Sequence, residues 1–545
     1  MSRSLNETIK TVTDDYLEQL DLDNLPAPSD MEAELVIAVR DAINLDNQLR
    51  SKTDKLKAPT KLCAWQIADI MLKTENIVNV KCGGENADPE YDLLAIYQET
   101  GPNEGLYVTD ENVFKRIARE YCYTITSREL KDVIDFIKLA APRVSRTMDR
   151  DLIAVNNGIF NFETKILEPF SPDYVFLAKS KVNYNPSARN VVIHNNDDNT
   201  DWDVESWMSD LSDDPEVVQL LWEILSAIIR PHVRWNKSAW FYSNTGNNGK
   251  GTLCELMRSL CGDGSYACIP LSTFGRDFAL EPLTRSTAII VDENDVGTFI
   301  DRAANLKAVI TNDVIAINRK FKSPISYQFY GFMVQCLNEF PRIKDKSDSF
   351  YRRQLFIPFD RCFTGMERKY IKDDYLHRDE VLEYVLYKVL HMDFYTLSEP
   401  VSCKNALEEY KDYNDPVRQF WNELENEFVW DILPFSFLYE LYKAWFRKNS
   451  PSGTVQGKTK FTDELLTVIR ESDTWECVDK NKNIRVGNKM DKPELLIATY
   501  GVSDWFNPYY NGADLAKLST PPLKPFYRGL LRKHGNNLVQ ISDDE

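Results

Sequence analysis

Residues 243–253, Ser243-Asn244-Thr245-Gly246-Asn247-Asn248-Gly249-Lys250-Gly251-Thr252-Leu253, decide how the rest of the chain is read. They follow an apolar run, Ala239-Trp240-Phe241-Tyr242, and lead into a helix-like run, Leu253-Cys254-Glu255-Leu256-Met257-Arg258-Ser259-Leu260. Strand, Gly/Asn-rich turn, Lys, helix is the order a phosphate-binding loop requires. Gly246 and Gly249 remove side chains where backbone N–H groups must wrap a phosphate. Lys250 supplies a cation, and the helix N-terminus adds partial positive charge. Against the pattern GxxxxGK[ST], Asn244 stands at the first Gly position, and Gly251 stands where the metal-binding Ser/Thr usually sits. Thr252, one place later, is the available hydroxyl. A Gly-rich turn that binds nothing is the plain alternative, and the strand-loop-helix context weighs against it.

An ATPase also needs a carboxylate for Mg2+ and a group to position the attacking water. Ala288-Ile289-Ile290-Val291-Asp292-Glu293 places both at the end of an apolar strand. Asp292, with Thr252, is the expected metal ligand, and Glu293 the expected base. A further strand, Phe332-Met333-Val334-Gln335-Cys336-Leu337, ends in Asn338, whose amide suits the γ-phosphate and the water. Alone, each is a common turn; as a series of strand-end polar groups they read as an ATP site with Gly246, Asn248, Gly249, Lys250, Gly251 and Thr252 around the nucleotide. Next comes Tyr351-Arg352-Arg353-Gln354-Leu355-Phe356. One of Arg352 and Arg353 is positioned to reach a phosphate bound by a neighbouring subunit, and spacing does not say which.

Between the second and third strands lies Ile317-Asn318-Arg319-Lys320-Phe321-Lys322-Ser323-Pro324-Ile325, a basic hairpin with an aromatic tip. Arg319, Lys320, Phe321 and Lys322 suit DNA phosphates and base stacking. Residues 302–361 carry eleven Lys/Arg against five Asp/Glu, a local balance of +6, while the whole chain has a net charge of −19. The total excludes a generally basic coat; its distribution leaves nucleic-acid binding in one channel open.

With 545 residues, 43% of them hydrophobic and 27% charged, the chain has an ordinary globular composition and a length that predicts several domains at about 150 residues each. No apolar run reaches about 18 residues, so no membrane span is expected. The first 20 residues lack the apolar core of a signal peptide, so the expected location is the cytosol of the host cell. Ten Cys include no CxxC pair and five His no ligand-spaced pair, so no structural metal is expected.

Helical patterning is expected over Met31 to Leu49, Trp65 to Lys73, 110–121 and 127–141, with one hairpin around Gly101-Pro102-Asn103-Glu104 and another turning at Asn157-Gly158. The polar run 195–203, NNDDNTDWD, marks a domain boundary. From Val204 to about 362 helices alternate with short apolar strands, as in an α/β nucleotidase. Residues 365–428 read as helical. Beyond 429, helices at about 436–448 and 459–471 precede a strand-turn-strand over 475–487, the outline of a winged-helix module. The Pro-rich tail reads as loop and partly disordered.

The ordered set NNGKGT (247–252), IIVDE (289–293), RKFK (319–322), the strand ending at Asn338 and YRRQLFIPF (351–359) resembles superfamily 3 helicases of the phage/plasmid primase–helicase family. Residues from about 93 to 186, especially NNGIFNFETKILEPFSPD (156–173), resemble the poxvirus-NTPase-type N-terminal region found before that ATPase. Replication initiators of phage-related mobile elements look alike. The resemblance implies a multidomain α/β protein with an AAA+-like P-loop ATPase core, a mixed α+β N-terminal region and a C-terminal winged helix. The expected divisions are 1–90 (helical), 91–195 (collar-like), 204–362 (ATPase), 363–428 (helical extension) and 429–545 (winged helix and tail). It further implies a ring, usually a hexamer, with ATP at subunit interfaces, hairpins lining a DNA channel, and an Arg finger acting in trans.

Primases of the archaeo-eukaryotic type need a strand-borne DxD pair, a His and a further Asp. Before the ATPase only His194 and His232 occur, and Asp21 and Asp23 stand in a turn-like context, so the expectation is a helicase without its own primase. In the C-terminal region, Lys458 and Lys460 on a helix and Lys482 on the wing are the expected contacts to duplex, origin DNA. Two other readings stay open: a P-loop nucleotide kinase, and a DNA-binding loader with weak ATPase activity.

Overall fold

The apolar run before the Gly-rich loop is a strand, and it lies inside a sheet with a partner on each side. The computed structural model describes residues 4–82, 88–320, 322–449, 455–470 and 472–533. The chain forms two compact units, Met1–Ala406 and Leu407–Glu545. It is a multidomain mixed α/β protein built around a parallel sheet.

Five parallel strands, β1 (Ser238–Tyr242), β2 (Tyr266–Ala267), β3 (Ala288–Val291), β4 (Phe332–Leu337) and β5 (Gln354–Pro358), lie in the order β2-β3-β4-β1-β5. β3 and β4 are buried at every position and, Gln335 apart, apolar, the pattern of a parallel sheet covered on both faces. On one face Ala239, Phe241, Ala288 and Ile290 share a core with helix Pro215–Ile229 and with helix α1 (Lys250–Cys261). On the other, Trp240 packs edge-on against Phe350 and at a tilt against Phe356. The helix after β1 thus covers one face, while the segment after β4 covers the other. The crevice between the carboxyl ends of β1 and β4 is where open α/β sheets bind ligands.

An antiparallel hairpin, Val314–Arg319 with Lys322–Gln328, precedes β4. Ile315, Ile317, Ile325 and Tyr327 are buried, so the period of two anchors one face of its root. The register shifts between Ile317 and Arg319.

The N-terminal part of this unit packs helices Pro28–Gln48, Ala64–Thr74, Glu111–Tyr121 and Ser127–Ala140 with a four-stranded sheet. Helix starts follow local chemistry: Ser4 and Glu7 form a reciprocal capping box, as do Thr126 and Glu129. Met31, Leu35, Val39 and Ile43 recur every four residues and form the buried stripe of their helix. The hairpin of Leu152–Val155 and Gly158–Asn161 pairs Val155 with Gly158, so the turn is Asn156-Asn157, one residue before the expected Asn157-Gly158. Residues 195–203, read from sequence as a boundary, include a short hairpin, Ile193–Asn195 with Thr200–Trp202. Trp202 is buried in the core that helix Pro215–Ile229 and the parallel sheet share, so packing is continuous across this run.

In the second unit, helices Pro416–Leu424, Phe435–Asn449 and Lys458–Ile469 surround an aromatic core with Trp421, Trp430, Trp445 and Trp475. The expected strand-turn-strand over 475–487 is corrected here. Trp475–Glu476 and Ile484–Arg485 do not pair with each other; they pair with Gly529–Arg532 and Phe526–Tyr527 respectively. The expected loose tail is therefore structural as far as residue 533, because Leu530 is buried in this core and Arg532 binds Asp431 at 3.0 Å. Residues 534–545 lie outside the described residues. No helix among the described residues is long and apolar enough to cross a membrane.

Candidate nucleotide site and basic hairpin

The loop after β1 is held by its own side chains. Tyr242 donates its hydroxyl proton to Asn244 Oδ1, and Asn248 Nδ2 donates to Thr245 O at 2.5 Å. Asn247 O accepts from Phe363 N at 2.7 Å, and Asn247 Nδ2 donates to Glu367 Oε1 at 2.9 Å. The side chain at the first-Gly position, Asn244, thus acts as a fastening. Asn247 (φ 53°) and Gly249 (φ 85°) are left-handed. Gly249 is favoured by its positive φ, and a Cβ there would also have to displace the end of the Leu211 side chain, whose Cδ2 would lie 2.6 Å away. At Gly246 and Gly251 a Cβ would meet nothing within 4 Å, so the space beside the loop is open.

Lys250 is the first residue of α1 and only 5% exposed. Its Nζ is buried and has no hydrogen-bond partner. Burial lowers its pKa, and the neighbouring thiols are those of Cys336 and Cys254, whose sulfurs lie 3.4 Å apart. A buried ammonium without a counter-charge is costly unless an anion arrives. Phosphate is the anion that the loop's geometry fits.

Strand register brings the other groups alongside. Tyr242 is level with Leu337 and Val291 with Gln335, so the residues following β1, β3 and β4 emerge at one edge. Ser243 N donates to Leu337 O at 3.2 Å, tying the loop to the strand that Asn338 follows. Asn338 and Glu293 are exposed. Asp292 is 42% exposed and pairs with Arg258 Nη2 at 3.0 Å, and Arg258 Nη1 holds Glu255 Oε2 at 3.2 Å. Asn294 is buried; its Nδ2 donates to Gln335 Oε1 and Cys336 O, both at 3.0 Å, and its Oδ1 accepts from Leu271 N at 2.9 Å. Thr252, in the first turn of α1, is partly buried and faces a cleft of about 540 Å³ lined also by Trp207, Asn247, Arg361 and Phe363. Neither Arg258, Asn294 nor this cleft shows a functional signature in the sequence. Their partners are distant in sequence, and aromatic residues at 207 and 363 carry no local signature.

The two candidate fingers differ. Arg353 turns back onto Ser349, donating to its carbonyl and, at 3.0 Å, to its Oγ. Arg352 is exposed at the end of helix Asp348–Tyr351. At the hairpin, Lys320 is exposed and Arg319 partly so; Arg319 is level with Lys322, and Phe321 lies outside the described residues. In the second unit Lys458, Lys460 and Lys482 are exposed, but Lys460 lies 3.7 Å from Glu464 and the nearby Lys480 3.0 Å from Asp463. The face of helix Lys458–Ile469 is thus of mixed charge. No group of three or more His, Cys, Asp or Glu that would hold a metal occurs among the described residues.

Three families match this chain in order. Residues 53–225 match "D5 N terminal like", residues 241–353 match a family of unknown function (DUF5906), and residues 412–507 match "Poxvirus D5 protein-like". The chain is D5-like over residues 53–225 and 412–507. Those two matches carry a resemblance to replication-related DNA enzymes. The middle match, 241–353, contains every strand-tip residue described above. Among solved structures, an apo form of the NrS-1 C-terminal region aligns over 78% of this D5-like chain and 97% of its own, at 13% identity and a TM-score of 0.42. A second, in the A form, aligns over 75% and 86% at 14% identity and a TM-score of 0.40.

Proposed function

We propose that this D5-like chain is an ATP-driven, ring-forming DNA helicase that opens duplex DNA at a replication origin. The observation that carries the reading is the partnerless, buried Nζ of Lys250 at the mouth of a left-handed Gly loop, at the edge where Asp292, Glu293 and Asn338 also emerge. In the mechanism this supports, the N–H groups of the loop around Gly246, Asn248, Gly249 and Gly251 wrap the phosphates, and Lys250 neutralises the terminal ones. The hydroxyl of Thr252 and the carboxylate of Asp292 are hard oxygen donors of the kind that would hold Mg2+. When bound, Mg2+ supplies Lewis-acid charge stabilisation on the phosphates.

Glu293, exposed next to Asp292, accepts the proton of the attacking water and orients it. Asn338 hydrogen-bonds the γ-phosphate and the same water. Arg352 reaches the site of the next subunit, since Arg353 is engaged with Ser349. Arg319, Lys320 and Lys322, with Phe321, grip the DNA strand, and the Lys458–Lys460 helix start and Lys482 add contacts to duplex DNA.

The test is ATP hydrolysis and fork unwinding by the purified full chain. Lys250→Ala is expected to abolish both while leaving the circular dichroism spectrum intact. Unwinding retained by Lys250→Ala would overturn the proposal, and DNA-independent phosphate transfer to a nucleotide would point to a kinase.

A further inference from the structure

Helix α1 carries three functional-looking side chains at four-residue spacing, Lys250, Cys254 and Arg258. Positions i, i+4 and i+8 lie on one face, and long helical side chains lean back toward the N-terminus. Lys250 therefore serves the loop, Cys254 meets Cys336 of β4, and Arg258 reaches the tip of β3, where its Nη2 is 3.0 Å from Asp292 Oδ2. The Arg258 side chain is only 18% exposed, and its other amino group is held by Glu255, which in turn lies 3.7 Å from His377 Nε2. The guanidinium is thus fixed in place by a second carboxylate while it occupies the first.

We infer that Arg258 is a positioning residue that competes with the divalent cation for Asp292. The inference rests on the reading of Asp292 as the metal carboxylate. As long as the Arg258–Asp292 pair is closed, one of the few protein oxygens available to Mg2+ is already satisfied, and a fixed positive charge stands beside the place the cation must enter. Metal arriving alone faces both obstacles. Metal arriving with nucleotide brings phosphate charge that offsets the guanidinium and lets Asp292 turn away from it. Arg258 thereby makes metal loading conditional on nucleotide, which keeps an empty site from filling with free cation.

The experiment is a Mn2+ titration of the full chain without nucleotide, read from the electron paramagnetic resonance signal of free Mn2+. Asp292→Asn serves to subtract the weak sites of an acidic surface. Arg258→Met and Arg258→Gln should raise the Asp292-dependent Mn2+ affinity about tenfold, the scale on which one opposite charge within about 6 Å alters a carboxylate's affinity for a proton. Arg258→Lys should stay near wild type, and adding Asp292→Asn to either neutral variant should erase the gain. An Arg258→Gln protein that melts like wild type and binds Mn2+ no more tightly would overturn the inference. So would a gain that survives Asp292→Asn. Because no nucleotide is present, a wild-type protein that fails to hydrolyse ATP would sink the proposed function and leave the competition measurable.

Discussion

The guanidinium of Arg146 donates to the hydroxyl of Tyr327 at 2.7 Å and to the carbonyl of Gln328 at 3.2 Å, clamping the root of the basic hairpin from a segment far earlier in the chain. It also lies 4.9 Å above the Tyr327 ring. Tyr327 is buried and in turn donates to Thr284 O at 3.3 Å. Lys320, just past the far end of the first hairpin strand, is exposed while the root is fixed. Arg146→Ala is expected to cost about 1.5–3 kcal/mol, the range for hydrogen bonds to a charged group. It should also lower the base pairs opened per ATP more than the ATPase rate itself. Urea unfolding and paired hydrolysis and unwinding assays check both, and an unchanged coupling ratio would mean that the clamp is only structural.

Arg352 and Arg353 should separate cleanly. Arg352→Ala is expected to reduce hydrolysis by about 10³-fold or more, as loss of a trans-acting arginine does. Mixed with Lys250→Ala subunits it should regain part of that activity, because each partner supplies what the other lacks. Arg353→Ala should instead lower the melting temperature through loss of the Ser349 contacts. Complementation by Arg353→Ala and not by Arg352→Ala would reverse the assignment.

Lys179 provides a pH signature in the N-terminal half. It is buried, its Nζ donates to Glu104 O at 2.7 Å and Asn156 O at 3.2 Å, and burial pushes its pKa down to about 8. The unfolded chain holds this proton up to about 10.4. Between the two values the unfolded state binds more protons, so this residue makes stability rise with pH from about 8 to about 10.4. Comparing urea midpoints of wild type and Lys179→Met across that window isolates the effect; the variant should lose the rise that this one group contributes.

Leu530 tests the part of the fold that the sequence pattern concealed. It is fully buried in the aromatic core of the second unit, on the strand that joins Ile432–Pro434 to Trp475–Glu476. Leu530→Ala is expected to cost about 2–5 kcal/mol. A loss below about 0.5 kcal/mol in denaturant unfolding would show that this strand contributes little.

Local signals made the centre of the molecule readable. Gly249 next to Lys250, between an apolar run and a helical one, needs no distant partner to be recognised, and neither do β3 and β4, which apart from Gln335 are apolar throughout and short enough to be strands. What stayed hidden depends on contacts across the chain. Arg258 looks like any solvated helix residue until β3 brings Asp292 to it. Residues 475–487 look like a hairpin because two strand-like pieces flank a turn, yet Trp475 and Glu476 pair with Arg532 and Leu531, and Ile484 and Arg485 pair with Tyr527 and Phe526, partners about fifty residues away that no local pattern announces. The turn falls at Asn156-Asn157, one position before the place where Asn-Gly, the stronger local signal, points.

The amide of Asn294 joins the tips of β3 and β4 in the interior of the sheet, and Gln335 extends the join to Ile269 O at 3.0 Å. Glu293, one residue before it, and Asn338, one residue beyond β4, are therefore mounted on the same plate. The spacing between the backbone positions of Glu293 and Asn338 becomes a manufactured dimension of the molecule, set when the chain folds. The Gly-rich loop and the clamped hairpin lie outside that plate, and the proposed function would have to do its moving there.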